Sequence, residues 1–335
     1  AEDDAAATRG VISAFGWAPR KNLQGVVKQL LATRSAFGRQ VGIGACAVHR
    51  VNPGPPLVQA LSSHHAGEKA RAAKAAGELG LADLREPLEQ SLGDEDPEVR
   101  FWSTWSACLL GSAAARPGLE GFANTEGPRQ RQALELLMRL LPADAGKTWL
   151  RTHFAGQENL RFALIGAGLH GDPFYLEPLI KQFSREEVAR VAGEAFEMIT
   201  GLNLFQRSFE ILDPVEITAP VEAEDLEGLD EEALDALDED DDNEEEALEE
   251  DIGLVRPDPA KVQPWFMEHR ADFPSGERFL CGHPISLDHC EQVLRDGRQR
   301  QRRAAALEVA LAKPGTALFE VRAPGLRQAT ALRSS

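Results

Sequence analysis

Glu68-Lys69-Ala70-Arg71-Ala72-Ala73 and Glu98-Val99-Arg100-Phe101-Trp102-Ser103 decide the fold. Aligned, they place a basic residue eleven positions before a glycine in both, Lys69 before Gly80 and Arg100 before Gly111. The register extends in both directions. Basic residues recur at Arg39, Lys69, Arg100, Arg131, Arg161 and Arg190, at intervals of 30, 31, 31, 30 and 29 residues. Eleven positions after each stand Arg50, Gly80, Gly111, Pro142, Asp172 and Gly201, most of them helix-ending or turn residues. Each unit is therefore expected to open with a helix of about three turns.

A second helix follows in each unit. Leu84, Leu88 and Leu92, and then Leu176, Leu179, Ile180 and Phe183, fall at three- and four-residue spacings that build one apolar face. Pro87 and Pro178 suit its first turn, where a missing N–H is tolerated, and Asp96-Pro97 and Asp172-Pro173 read as caps followed by first helical residues. Two helices per thirty residues, stacked in register, make an all-α, HEAT-like α-solenoid over residues 38–205. Abundant Ala, Leu and Gly with a single Tyr agree with closely packed helices. Residues 1–37, with Phe15, Trp17 and the helical run from Leu23 to Leu31, are expected to form an N-terminal helical cap. Trp102 and Leu134, two and three residues after ladder positions, should face the core.

The basic ladder Arg39, Lys69, Arg100, Arg131, Arg161 and Arg190 has two readings. It could be a phosphate-binding stripe, or each stem could pack between layers while its head pairs with a loop carboxylate. Packing alone explains a strict period, so the structural reading is preferred, with Asp96 and Glu186 as the carboxylates on offer.

The net charge of −18 has one source. Residues 222–252 hold 19 Asp or Glu and no Lys or Arg, and the chain without them carries +1. Residues 206–258 are thus read as an acidic linker or insert, mostly disordered, because so dense a charge cannot bury enough apolar surface to offset its ordering entropy. Such a run can be a solvated linker. It can also be a polyanionic lure for a basic partner protein. On the second reading the partner-binding residues are Glu222, Glu224, Asp225, Asp230, Glu231, Glu232, Asp238, Glu239, Asp240, Asp241, Asp242, Glu244, Glu245 and Glu246, with Leu226, Leu229, Leu234, Leu237 and Leu248 as weak anchors. Residues 259–335 are expected to form a small C-terminal helical module, with helices around Leu287–Leu294 and Gln299–Leu311. Arg295, Arg298, Arg300, Arg302 and Arg303 could make a local anion site there, an internal dock for the acidic run, or simply a charged helix end.

No catalytic constellation emerges. Four cysteines are too few and too scattered for a disulfide framework, which favours a reducing compartment. Cys281, His283, His289 and Cys290 are competent zinc ligands, but adjacent residues point to different faces of a helix and no metal is expected. Gly42-x-Gly44-x-x-Ala47 imitates a dinucleotide fingerprint without the strand that must precede it, and His64-His65 suits a solvated loop. There is no Walker A sequence, no His-Glu-x-x-His and no Gly-x-Ser-x-Gly. A non-enzymatic protein without cofactor is expected, with no direct nucleic-acid partner. With no run of about 18 apolar residues and an acidic start, Ala1-Glu2-Asp3-Asp4, it is expected to be a soluble protein with no membrane partner.

Glu194-Ala-Phe-Glu-Met-Ile-Thr-Gly-Leu-Asn-Leu204, and above all Arg295 to Leu311 running on through Pro314-Gly315 to Phe319-Glu-Val-Arg-Ala-Pro-Gly325, carry a resemblance. They resemble a family of bacterial HEAT-repeat proteins encoded near type VI secretion genes, over most of the chain. The resemblance implies a bacterial cytoplasmic helper that binds a co-encoded effector or a secretion component. It is either an immunity protein that neutralises an effector toxin, such as a nuclease with a basic cleft, or an adaptor that holds an effector for loading. HEAT-like lyases share the scaffold but no chromophore site is marked here.

Overall fold

Capping residues set where the repeat helices begin. In the computed structural model, which describes residues 5–154, 159–211, 251 and 253–334, the Ser35 hydroxyl accepts from Gly38 N and the Asp96 carboxylate accepts from Glu98 N and Val99 N at 2.9 and 3.0 Å. Pro97, whose missing N–H is harmless there, is the first helical residue after Asp96. Left-handed residues end the helices: Arg50 at φ 53°, Gly80 at 65°, Gly111 at 84°, Gly171 at 85° and Gly201 at 70°. The eleven-residue spacing to the helix end thus holds after Arg39, Lys69, Arg100 and Arg190, while Gly171 ends α11 ten residues after Arg161.

The described chain is all-α, a HEAT-like solenoid of helix pairs. Its helices are α1 (Ala5–Trp17), α2 (Arg20–Ala32), α3 (Ala36–Val48), α4 (Pro55–Ala60), α5 (Ala66–Glu78), α6 (Arg85–Glu89), α7 (Pro97–Leu109), α8 (Arg116–Asn124), α9 (Gln130–Leu140), α10 (Ala143–Phe154), α11 (Leu160–His170), α12 (Leu176–Ile180), α13 (Glu186–Thr200), α14 (Pro259–His269), α15 (Leu287–Asp296), α16 (Gln299–Ala312) and α17 (Gly325–Ser334). Among the described residues strand is confined to two-residue pieces, including β1 (Glu210–Ile211), β2 (Arg256–Pro257) and β3 (Phe279–Leu280). No described helix is long and apolar enough to cross a membrane.

Two compact units emerge: Ala1–Gly146 with Pro284–Ser335, and Lys147–His283. In the first, α3 packs on α5 and α5 on α7. Gly77 lets the last two approach closely, since a Cβ there would lie 2.5 Å from Ser106 Oγ. Leu134 is fully buried and Trp102 is 7% exposed, as their register requires. The Gly42/Gly44 pair is packing: a Cβ on Gly44 would strike Ile12 of α1, and one on Gly42 would press on Leu30 and Leu31 of α2. The second helices are shorter than their leucine spacing implies, α6 being a single turn after a 3₁₀ turn at Ala82–Leu84, with only Leu88 of its three leucines fully buried.

In the second unit α11 packs on α13, with Gly168 against the main chain of Ala195, and Phe183 and Phe196 meet edge to face at 5.8 Å. Antiparallel β1 and β2 pair Glu210 with Pro257 and Ile211 with Arg256. The two sides of the acidic segment therefore meet in one unit, which makes that segment an insertion into a loop, not a tether between modules. Likewise residues 259–335 are not one C-terminal module. Residues 259–283 complete the second unit and 284–335 the first, because each finds there the helix faces and helix ends it covers.

Candidate functional site

Arg39, Lys69 and Arg100 turn their heads to acceptors on the next repeat or on the loops before the repeat helices, while Arg161 and Arg190 reach residues 251 and 254, at the end of the acidic run and just past it. Arg39 forks onto Glu68 at 2.6 and 2.7 Å and also reaches the carbonyls of Thr33 and Arg34. Lys69 holds Asp94 at 2.6 Å, Arg100 donates to Asp94 O and Glu95 O, and Arg190 to Leu254 O. Arg161 grips Asp251, the last carboxylate of the acidic run, at 2.6 and 3.1 Å. Arg131 is exposed on α9, and the inter-repeat pair at this level is made two residues earlier by Arg129 with Glu98, at 2.8 Å from Nε. Asp96 and Glu186 are not the ladder's partners: Asp96 is consumed as a helix cap, and Glu186 faces Arg256 at 3.8 Å.

A cavity that gathers several charged side chains lies in the first unit. About 120 Å³ in volume, it is bordered by α5, α7, α9, α16 and the extended residues Leu318–Arg322. Lys74 and Glu78, one turn apart on α5, enter it beside Trp102 and Trp105 of α7. Glu78 is buried, and burial pushes its carboxyl up, but the charges of Arg71, Lys74 and Arg50 outweigh that and hold it at about 2. Burial lowers Lys74 to about 8, against the pull of Glu78 and with the help of Arg71, Arg322 and Arg129. Its ammonium lies 4.1 Å over the Trp102 ring, which also has the Arg129 guanidinium at 4.9 Å.

The remaining charges are paired. Arg303 of α16 forks onto Glu135 of α9 at 2.6 to 3.0 Å, and Arg50 reaches Glu320 at 3.2 Å. Burial raises the Glu135 carboxyl, and Arg303 and Arg139 more than reverse it. The arginine cluster expected around 295–303 is thus dispersed: Arg303 is engaged by Glu135, while Arg302 donates to Leu294 O at 2.7 Å.

The fourteen acidic candidates, Glu222, Glu224, Asp225, Asp230, Glu231, Glu232, Asp238, Glu239, Asp240, Asp241, Asp242, Glu244, Glu245 and Glu246, lie outside the described residues, and so does the expectation that their segment is disordered. Cys281 and His283 belong to one unit and His289 and Cys290 to the other. Among the described residues no three His, Cys, Asp or Glu gather as metal ligands. His64 and His65 are exposed.

Residues 54–139, the segment from α4 to α9, match the family model for HEAT repeats. That segment carries HEAT repeats. No curated protein matches the chain. The charged cavity borders this HEAT segment, and sequence reasoning missed it. The Lys74/Glu78 pair at i, i+4 and Arg71 at i, i+7 from Glu78 were visible on one helix, but the wall that closes over them arrives more than two hundred residues later.

Proposed function

We propose that this HEAT-repeat protein is a non-enzymatic scaffold that binds another protein with a basic surface, and that the partner is a type VI effector toxin which it neutralises as an immunity protein. The carrying observation is charge segregation: 19 carboxylates fall within residues 222–252, and the rest of the chain is nearly neutral at +1. Such a density steers a cationic partner and speeds encounter, and a nuclease must present a basic cleft to its own substrate. The HEAT segment supports a binding role, since stacked helix pairs offer long surfaces for docking. The pairing of β1 with β2 supports recruitment from one place on the fold, because the acidic insertion leaves and re-enters there.

The test begins with affinity capture from native cells, where a toxin favours immunity and a secretion component favours an adaptor. Residues 222–250 are then exchanged for a Gly/Ser segment of equal length. Asp251 is spared because it holds Arg161. Association with the captured partner is expected to slow at least tenfold at low salt and to lose most of its salt dependence, with a smaller change in dissociation. Unaltered association and salt dependence would defeat the role given to the acidic segment.

A further inference from the structure

Helix α2 of the first unit is left uncovered on one side. It carries Leu23, Val27 and Leu31 at four-residue steps, yet none of its thirteen residues is buried. α3 takes part of its surface, closing in at Gly42. Its neighbour among the second helices of the repeats is α4, which is only six residues long. Pro53-Gly54-Pro55-Pro56 holds the chain out of helix until Pro55, since a residue before proline avoids the helical region. At 1.5 Å per residue α4 spans about 9 Å and α2 about 20 Å. The shortfall is a groove of about 530 Å³ along α2, lined by Leu23, Val27 and Leu31 and, from the following turn and α4, by Val51, Pro53 and Pro56.

The groove is open to solvent, so it would leave a small ligand largely in water, where a small-molecule site encloses most of what it binds. A row of apolar side chains one turn apart is matched instead by the apolar stripe of a second helix, which repeats at the same steps. Charge gives the sign of that helix. From Ala5 to Gly67 the chain holds seven Lys or Arg and no Asp or Glu. Arg20 and Lys28, about two turns apart, line the groove itself, and no carboxylate does. Exposed cations need no partner, so they fix only the sign of an occupant; the uncovered apolar face is what calls for one. We infer that this groove docks an acidic amphipathic helix of a partner protein, its apolar stripe on Leu23, Val27 and Leu31 and its flanking carboxylates against Arg20 and Lys28. A match to the length of α2 calls for about 13 residues. A second copy paired through the same face would set these cations against their own kind.

The probe is a blocked, dye-labelled peptide of about 14 residues, built of Ala, Glu and Leu with leucines at i, i+4, i+7 and i+11, titrated into the full chain and followed by anisotropy. Saturable one-to-one binding that weakens in added salt is expected. A scrambled peptide of the same composition keeps the charge and loses the stripe, and it should bind at least tenfold more weakly. So should the form with Gln for every Glu, while the form with Lys for every Glu should not bind. Arg20→Glu combined with Lys28→Glu should lower affinity at least tenfold, and both side chains are exposed, so this variant should fold. Val27→Ser should weaken the striped peptide and leave the scrambled one unaffected. No saturable binding, equal affinity for the scrambled peptide, or affinity untouched by Arg20→Glu with Lys28→Glu would each overturn the proposal. So would a tenfold gain in affinity on exchanging residues 222–250 for Gly/Ser, if it persists in salt that screens long-range repulsion, because the groove would then belong to the chain's own acidic run. Self-association that Val27→Ser abolishes would give the groove to a second copy and overturn it equally.

Discussion

Two stretches of extended chain lie over the ends of repeat helices, and they are held in different ways. In the unit of residues 147–283, Phe279–Gly282 crosses the ends of α11 and α13 chiefly on main-chain bonds, Phe279 N to Gly171 O at 2.8 Å, Cys281 N to Met198 O at 2.7 Å and Gly282 N to Ile199 O at 2.9 Å, with Arg278 just before it donating to His170 O at 2.8 Å. In the other unit, Thr316–Val321 crosses the ends of α3 and α5 with one such bond, Leu318 N to Glu78 O at 3.0 Å. Arg50 adds a charged hold, reaching Leu318 O and Glu320, and the side-chain amides of Gln299 and Gln328 each donate to Val321 O at 2.8 Å. Both exploit the carbonyls that a helix leaves unsatisfied at its last turn. A glycine at the helix end lets a second backbone close in and saturate them. An arginine at the same repeat position reaches further, but it makes the hold depend on charge, and the charged hold is the one that walls the Lys74 cavity.

The largest expected contrast comes from one aspartate placed in each stretch. Phe279 is 3% exposed, so Phe279→Asp should cost about 4 kcal/mol or more, through a lost aromatic and a buried unpaired carboxylate. Leu318 is only half-buried, and Leu318→Asp should cost about 1 to 2 kcal/mol. Urea denaturation of the two variants measures both, and equal losses would dissolve the distinction. Next is Gly201→Ala. At φ 70° an L side chain is strained, and its Cβ would sit 2.6 Å from the Cys281 carbonyl carbon. A loss of about 3 kcal/mol is expected in the same experiment, because the opposing atoms are main chain and cannot swing aside.

The sequence made the repeats legible and left these crossings hidden, for a physical reason. A helix end is a local event, written by Asp96-Pro97 or Gly201 and repeated every thirty residues, so its period survives inspection. What covers a helix end is a long-range event. Nothing local in Thr316–Val321 says that it meets Glu78, and its arginine partner Arg50 occupies the eleven-residue position where Gly80, Gly111 and Gly201 stand. The ladder misled in detail for the same reason: Asp96 was already committed to its own helix, so Arg100 took the carbonyls of Asp94 and Glu95 instead. Of the candidate site, Trp102 was placed as core by its register, while the setting of Lys74 depends on a cavity wall that no periodicity encodes.

A third contrast is acid sensitivity. The Glu78 carboxyl is held at about 2 in the folded protein against an ordinary value of 4.5, so the unfolded chain binds the extra proton between these values. A depressed carboxylate gives its full stability above about pH 4.5 and loses it as pH falls toward 2, a contribution of about 3 kcal/mol at most. Leu318 N–H, bonded to the Glu78 carbonyl, should therefore lose hydrogen-exchange protection between pH 4.5 and 2.5. Glu78→Gln should flatten that dependence. If the variant's protection still falls over the same window, another carboxylate governs this crossing.

The smallest effect, and the sharpest test of the comparison, is Arg50→Gly, which installs in the first unit the residue that the other helix ends use. Arg50 sits at φ 53°, where a non-glycine residue carries about 1 to 2 kcal/mol of strain that glycine relieves. Against that, the variant loses the guanidinium bonds to Leu318 O and Ala47 O, about 1 kcal/mol each, and a partly exposed pair with Glu320 contributing at most about 1 kcal/mol. The opposing effects nearly cancel, so the global unfolding free energy should change by about 1 kcal/mol or less. Local behaviour should not cancel. With only Leu318 N to Glu78 O left of these anchors, exchange at Leu318 should speed up severalfold and lose its sensitivity to added salt, which in the unmodified protein weakens the Arg50–Glu320 pair. A variant that keeps slow, salt-sensitive exchange at Leu318 would show that Arg50 does not hold this crossing, and that charge is not what distinguishes it from the glycine-based one.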